Sequence, residues 1–202
     1  MKADAPSVTI ALGLSLVLGF LSMGFQLVAS RLLAPHFGTA LIVWAFLIST
    51  FLAAFSAGAF LGGIVSRLHP IHRSKALRWQ ALIGVSFFAV VAFAGRPLLR
   101  EIESLFLDIS LGLLVACLLL FFIPVATLSG MLPVLTEMLA KKGSNTGTAS
   151  GFVYGVSTFG NIAGVMVTAF ILIPNFSTPE LLIGWFVLSF ACLMASVLVL
   201  AR

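Results

Sequence analysis

Residues 8–33 read VTIALGLSLVLGFLSMGFQLVASRLL, an apolar run in which Arg31 is the only charged side chain. A helix rises about 1.5 Å per residue, so a run of this length can cross the ~30 Å hydrocarbon core of a bilayer. The run is too long for the apolar region of a signal peptide, and no clear cleavage site of small residues follows it. We therefore expect a retained first transmembrane helix.

The same pattern recurs along the rest of the chain. Of the 202 residues, 61% are hydrophobic and 8% are charged, whereas soluble domains carry about 25% charged residues. Further apolar segments of spanning length occupy residues 40–66, 77–97, 107–138, 146–173 and 179–201. The sequence thus predicts an all-α polytopic membrane protein, with residues 1–202 forming one transmembrane domain of about six helices. In the fourth segment, Pro124 and Pro133 predict a kink or a helix end near the second proline.

Lysine and arginine residues fall unevenly on the two sides of this predicted bundle. The N-terminus, the second and fourth loops and the C-terminus carry eight of them, and the other side carries Arg31, Arg96 and Arg100. The positive-inside rule then places both termini in the cytoplasm. These topology signals account for the net charge of +5, so we expect the chain to sit in a lipid bilayer and to bind no nucleic acid. The longest polar stretches, 67–75 and 96–108, are expected to be a cytoplasmic loop and an amphipathic segment at the outer surface.

Small residues recur at helical spacing in the second and fifth segments. In lipid, such faces let two helices approach closely, because van der Waals packing drives their association. Two interpretations remain open, namely packing within the chain and a face that binds a second copy or a protein partner. The candidate helix-packing residues are Gly58, Gly62, Gly147, Gly151, Gly155, Gly160 and Gly164.

Polar side chains in these apolar runs are the candidates for a cavity or an interface. In the fifth segment a polar stripe either bonds to another helix or lines a wet cavity, because a polar atom in hydrocarbon needs a partner. Arg31 either reaches the outer interface or points into a cavity shared with Gln26 and the polar stripe. His36 is expected to be an exposed loop histidine. The candidates are Gln26, Arg31, His36, Ser150, Tyr154, Ser157 and Asn161, and Thr168 extends the polar stripe.

No catalytic, cofactor or metal site is predicted. Cys117 and Cys192 lie inside apolar runs without a CxxC pattern, and the three histidines lie in loops on opposite sides of the membrane. Every Asp and Glu maps to a loop or a helix end; Glu137, for example, stands four residues before Lys141 as a surface pair. The absence of a carboxylate deep in a helix argues against an ion-driven pump and against an intramembrane enzyme.

Four segments together resemble the membrane region of bacterial spermidine synthase-like proteins, the major-facilitator/spermidine synthase fusions. They are SRLLAPHFGTALIVWA (Ser30 to Ala45), SAGAFLGGIVSRL (Ser56 to Leu68), FFIPVATLSGMLPVL (Phe121 to Leu135) and TASGFVYGVSTFGNIAGVMVTAFILIP (Thr148 to Pro174). The resemblance covers nearly the whole chain, although none of the four segments is a catalytic motif. It implies a bacterial inner-membrane protein, and six helices would equal one half of a major facilitator transporter.

Two departures from that family limit what the resemblance implies. Relatives usually carry a Glu where Gln26 stands, and the loop motif of major facilitators expects an Asp where Ser66 stands. The fused relatives also continue into a soluble aminopropyltransferase-like domain with a Gly-rich AdoMet loop, and this sequence contains no such loop after a strand. The activity of that domain is therefore not expected here.

Two functions follow as hypotheses. The first is a non-catalytic membrane subunit, scaffold or binding module that anchors or assembles a partner, such as a separately encoded AdoMet-dependent enzyme. The second is a small-molecule transporter that works as a homodimer of six-helix units. The polar stripe and the kinked fourth segment favour the second, and the missing coupling carboxylate argues against it.

Overall fold

The computed structural model describes residues 5–141 and 145–200, and every regular element within these ranges is helical. Six helical spans are long and apolar enough to cross a membrane, which confirms the predicted all-α polytopic membrane protein. The first three spans are α1 (Ala5–Phe37), α2 (Leu41–Ser66) and α3 (Pro70–Leu105). The fourth contains α4 (Ile109–Cys117), the π-helical segment π1 (Leu118–Phe122), α5 (Ile123–Ser129) and α6 (Met131–Lys141). The fifth contains α7 (Thr146–Val167), the π-helical segment π2 (Thr168–Leu172) and α8 (Ile173–Asn175), and the sixth is α9 (Thr178–Leu200).

The third span is longer than the apolar pattern predicts. Residues 77–97 are predicted, yet α3 begins at Pro70 and ends at Leu105, so the expected polar loop is shorter and no separate surface segment forms. Pro70 fits the first turn of a helix, where its missing N–H has no partner to lose. Beyond Pro97, Leu99 and Ile102 are buried at helical spacing, and this burial continues the helix through the charged residues. The 36 residues extend about 54 Å, well beyond the hydrocarbon core.

Both π-helical segments end two residues before a proline. The π1 segment precedes Pro124, and π2 precedes Pro174. Proline has no N–H to donate, and its ring crowds the carbonyl four residues earlier, so a local widening of the helix accommodates it. Of the two alternatives predicted for Pro133, a helix end is wrong, because the fourth span continues as α6 to Lys141 after an interruption at Gly130, three residues before that proline.

Each of the six spans packs along at least one other. The first span packs mainly along the fifth, and the second mainly along the fourth. The third span packs about equally along the fourth and the sixth. Smaller contacts join the first span to the sixth and the fourth to the fifth.

Phenylalanine rings fill the centre of the bundle. Phe25 of α1 lies 5.0 Å from Phe88, 5.8 Å from Phe121 and 6.1 Å from Phe51, measured between ring centroids. These four rings come from the first four spans and are all fully buried. On the other side of α1, Trp185 of α9 donates its indole N–H to the Leu21 carbonyl at 3.0 Å, which fixes α9 against α1.

The charged residues that the structure describes are confined to the two ends of the bundle. We call the end where α2 meets α3 the basic end; it carries Arg67, Arg73, Lys75, Arg78, Glu137 and Lys141. The opposite end carries Arg31, Arg96, Arg100, Glu101, Glu103, Asp108 and Glu180. At that end Glu180 accepts hydrogen bonds from the backbone and hydroxyl of Ser177, both at 2.7 Å, and so caps the start of α9. Lys2, Lys142 and Arg202, which enter the predicted orientation, lie outside the described residues.

Candidate functional site

A cleft of mixed polarity lies at mid-depth between four spans. It has a volume of about 200 Å³ and is lined by residues of the first, second, fourth and fifth spans. Among the described residues, two other cavities are lined mainly by apolar side chains and a third lies at the basic end, whereas six residues of this cleft carry a hydroxyl or an amide. The residues that line it are Ser22, Phe55, Ala59, Ser129, Leu132, Tyr154, Ser157, Thr158 and Asn161.

Three hydroxyl groups of the cleft donate their hydrogens to nearby backbone carbonyls. Ser22 donates to the Leu18 carbonyl at 2.7 Å, and Thr158 donates to the Tyr154 carbonyl at 2.8 Å. The Ser129 hydroxyl lies 3.2 Å from the carbonyl of Ala126 in its own helix. These bonds satisfy the hydroxyl donors but leave their oxygens free to accept a further hydrogen bond.

Tyr154 and Asn161 differ from those hydroxyl residues because their polar atoms are unpaired. Neither side chain makes a hydrogen bond to any other described residue. Tyr154 is 40% exposed, and Asn161 is half-buried at the midpoint of the 30-residue fifth span. A phenol and a carboxamide without partners in hydrocarbon are costly, so this face must meet water, a ligand or another protein.

Close packing of α1 against the fifth span gives the cleft its position. A methyl group at Gly160 would overlap the Leu16 carbonyl, and one at Gly164 would overlap the Phe20 carbonyl. On the other helix, Gly19 faces the Ser157 carbonyl in the same way. With one face of α7 held against α1, the neighbouring face that bears the polar groups turns toward α2 and the fourth span.

The predicted glycine positions divide into packed and open ones. Gly58 and Gly62 of α2 meet the backbone of Ala126 and Gly130, so they pack within the chain as Gly160 and Gly164 do. In contrast, a methyl group at Gly151 or Gly155 would meet nothing within 4 Å. At Gly147 it would meet only the neighbouring Asn145 side chain, which caps α7. The first half of α7 therefore presents an uncovered glycine face beside the cleft.

Arg31 lies away from the cleft and binds the far end of the fifth span. Its guanidinium donates to the carbonyl of Ile173 and, at 3.2 Å, to that of Phe176. The Ile173 carbonyl belongs to the last turn of α8 and the Phe176 carbonyl to the residue that follows it. Carbonyls at a helix end have no intrahelical donors and carry a partial negative charge. Of the two interpretations left open for Arg31, the cavity shared with Gln26 and the polar stripe is wrong.

Three other candidates lie outside the cleft as well. Gln26 is half-buried on α1, and its side chain makes no hydrogen bond to any described residue. Ser150 is half-buried near the start of α7. Thr168 is fully buried, and the structure shows no partner for its hydroxyl. Of the predicted polar stripe, Tyr154, Ser157 and Asn161 are thus the members that share one site.

His36 belongs to the last turn of α1 and is paired, which corrects the expectation of an exposed loop histidine. Its Nδ1 lies 2.7 Å from Glu103 Oε2, and its side chain is only 11% exposed. The helix continues past Pro35 to Phe37 because Gly38 adopts φ 76° and closes it, with its N–H bonded to the Ala34 carbonyl. A glycine two residues after the histidine is the sequence signal for this helix end.

Sequence reasoning missed Ser22, Ser129 and Thr158 as members of the cleft. Each is a single small polar residue in an apolar run, a pattern that by itself predicts only a hydroxyl bonded to its own helix. No group of three His, Cys, Asp or Glu side chains that could hold a metal ion occurs in residues 5–141 and 145–200. No family model, no curated protein and no solved structure matches the chain.

Proposed function

We propose that this protein is a non-catalytic membrane subunit or binding module that assembles with a partner protein through the cleft face. The observation that supports it most is the pair of unsatisfied side chains, Tyr154 and Asn161, on a lipid-depth surface. A partner that donates to and accepts from these groups would remove their desolvation cost. The proposal keeps the expected setting, a bacterial inner membrane with both termini cytoplasmic.

The open glycines extend the same surface. Gly151 and Gly155 precede Asn161 on α7 and leave room for a second helix to approach the backbone. Small residues beside polar side chains are the composition that favours helix association in lipid. From the resemblance to spermidine synthase-like fusions, we propose that the partner is, or recruits, a separately encoded AdoMet-dependent enzyme.

Photo-crosslinking in native membranes tests the assembly. A photoreactive amino acid replaces Gly155 on the cleft face, and a matched control replaces Leu188, which is 51% exposed in the middle of α9. We expect a crosslinked protein at position 155 and none at position 188, with mass spectrometry identifying the partner. Equal crosslinking at both positions, or lipid adducts alone at 155, would contradict the proposal.

Two side-chain variants sharpen the result. Tyr154→Phe removes one hydroxyl, and Asn161→Leu replaces the carboxamide by an apolar group of similar size. Both are expected to leave the isolated protein folded, because neither polar group bonds within the described chain. Both should reduce the crosslinking yield at position 155, whereas the exposed Phe170→Leu on the same span should not.

A homodimeric small-molecule transporter is the second candidate, and one observation favours it. The fourth and fifth spans, which both border the cleft, are interrupted by π-helical segments, and transporters often build midplane sites from discontinuous helices. In that case the crosslinked product contains only this chain. Proteoliposomes should then take up small neutral polar solutes, and Asn161→Leu should abolish the uptake.

A further inference from the structure

A second cavity lies on the flank of the bundle, separate from the cleft. This lateral groove has a volume of about 440 Å³ and runs between α2, α3 and the middle of the fourth span. It forms because α2 and α3 make little direct contact with each other. The volume falls within the ~300–1,000 Å³ range of small-molecule sites. Its walls include Leu61, Val65, Trp79, Ile83, Phe122 and Ile123.

Apart from the indole of Trp79, only two side chains of the lateral groove carry polar atoms, and each donates a hydrogen bond within the bundle. Gln80 donates its amide N–H to the Thr127 carbonyl at 3.0 Å, and the Thr127 hydroxyl donates to the Pro124 carbonyl at 2.7 Å. The remaining lining is aliphatic and aromatic. The groove is therefore chemically suited to an unbranched hydrocarbon chain and not to a polar solute.

Two positively charged side chains lie beside the groove at the basic end of the bundle. Lys75 and Arg78 are exposed, and with Trp79 and Leu82 they line a shallow pocket next to it. Trp79 borders both cavities, so its indole, which is 64% exposed, separates the apolar groove from the cationic pocket. Tryptophan in this position is typical of the membrane interface.

No acidic side chain in residues 5–141 and 145–200 pairs with these cations. Among the described residues of the basic end, the only acid is Glu137, and it pairs with Lys141 at 3.0 Å. The positive charge of the cationic pocket is therefore without a counter-ion among the described residues.

We propose that the lateral groove and its cationic pocket bind an anionic phospholipid of the leaflet at the basic end. An acyl chain occupies the groove, and the phosphate accepts hydrogen bonds from Lys75 and Arg78 across the edge of Trp79. Basic pockets between transmembrane helices are known binding sites for acidic lipid head groups. The site does not involve the cleft and is independent of the function proposed above.

Quenching of Trp79 fluorescence by brominated lipid tests this site in a bilayer. The protein is reconstituted in phosphatidylcholine vesicles that contain a small fraction of phosphatidylglycerol brominated on its acyl chains. The reference vesicles contain the same fraction of brominated phosphatidylcholine. Trp44 and Trp185 also fluoresce, so the Trp79 signal is the difference between the protein and its Trp79→Phe variant. We expect stronger quenching of Trp79 by the brominated phosphatidylglycerol.

Three variants decide what causes that preference. Lys75→Gln with Arg78→Gln should weaken phosphatidylglycerol binding by roughly ten- to thirty-fold, from the loss of two cations near the surface. Ala76→Phe fills the groove but keeps both cations, and it should also remove the preference. Arg96→Gln with Arg100→Gln, exposed at the opposite end, should leave it unchanged.

The site is disproved by any of three results: equal quenching by both brominated lipids, a preference that persists in Lys75→Gln/Arg78→Gln, or one that persists in Ala76→Phe. The last would indicate a surface charge effect without a groove. The double glutamine variant changes only exposed side chains, so its folding is not at stake, and each variant is checked for an unchanged thermal unfolding midpoint.

Discussion

Two groups of glycines on one helix share a spacing and meet opposite surroundings. Gly160 and Gly164 touch the backbone of α1, while Gly151 and Gly155, nearer the start of the helix, face open space. The first group lets two helices of the same chain approach so closely that side chains are excluded. The second group gives no such benefit within the chain. The difference shows that a small-residue spacing identifies a surface for close approach without identifying what approaches it.

The largest loss of stability is expected when a side chain is added at one of the packed glycines, Gly160 or Gly164. Gly160→Leu would place a side chain against the Leu16 carbonyl, and backbone atoms cannot rotate away as side chains do. We expect a loss beyond the ~1–3 kcal/mol of ordinary overpacking, seen as aggregation or a much lower unfolding midpoint in detergent. Gly155→Leu is the control and should keep the midpoint of the parent. Equal midpoints in the two variants would mean that α1 and α7 are not in backbone contact.

Gly62 and Gly63 of α2 allow the same comparison of a packed with an open glycine, here with the smaller alanine side chain. A methyl group at Gly62 would overlap the Gly130 carbonyl, whereas at Gly63 it would meet nothing within 4 Å. Gly62→Ala should lower the free energy of unfolding by about 1–3 kcal/mol. Gly63→Ala should change it by less than about 1 kcal/mol, in the favourable direction of helix propensity. Denaturant titration of the two single variants measures the difference, and a costly Gly63→Ala would count against the packing described.

Arg31 attaches α1 to the fifth span independently of the glycines. Arg31→Gln removes the charged donor to the Ile173 and Phe176 carbonyls. Hydrogen bonds to a charged group contribute about 1.5–3 kcal/mol, so a loss of that size is expected in thermal or denaturant unfolding. Arg100→Gln, exposed at the same end of the bundle, should stay within about 0.5 kcal/mol of the parent. If Arg31→Gln changed the stability as little as the control does, the hydrogen bonds of Arg31 would not stabilise the contact between α1 and the fifth span, and the glycine packing alone would hold it.

The smallest change in stability is expected at the open glycines, Gly151 and Gly155. Gly151→Ala adds a methyl group in open space and removes backbone freedom from the unfolded chain. The isolated protein should gain up to about 1 kcal/mol of stability. A differential unfolding scan against Gly164→Ala, which should lose stability, provides the contrast. Loss of stability in Gly151→Ala would show that this face is covered within the chain.

The six spans could be predicted because the length and polarity of an apolar run are local properties. The ends of the helices were harder to predict where polar and apolar residues alternate and indicate different structures. The charged residues from Arg96 to Glu103 suggest a surface segment, yet the buried Leu99 and Ile102 continue α3. The pairing of His36 with Glu103 joins residues 67 positions apart, and no local pattern reports it.

The cleft was predicted only in part for a similar reason. The spacing of Tyr154, Ser157 and Asn161 places them on one side of a helix, and the structure brings them to one cleft. The same spacing includes Thr168, but the fifth span packs so that this residue is buried beyond the cleft. Arg31 could have faced either way by sequence, and its partner carbonyls are set by the end of another span.

The pairing of the first span with the fifth has a consequence for biosynthesis. The Arg31–Ile173 hydrogen bond joins residues that are 142 positions apart. At a synthesis rate of about 5–20 residues per second, the first helix therefore waits roughly 7–28 s in the membrane before its main neighbour emerges. During that interval Gly19 and Gly24 face lipid or the insertion machinery, so the glycine face of the earliest helix is among the last surfaces to be packed.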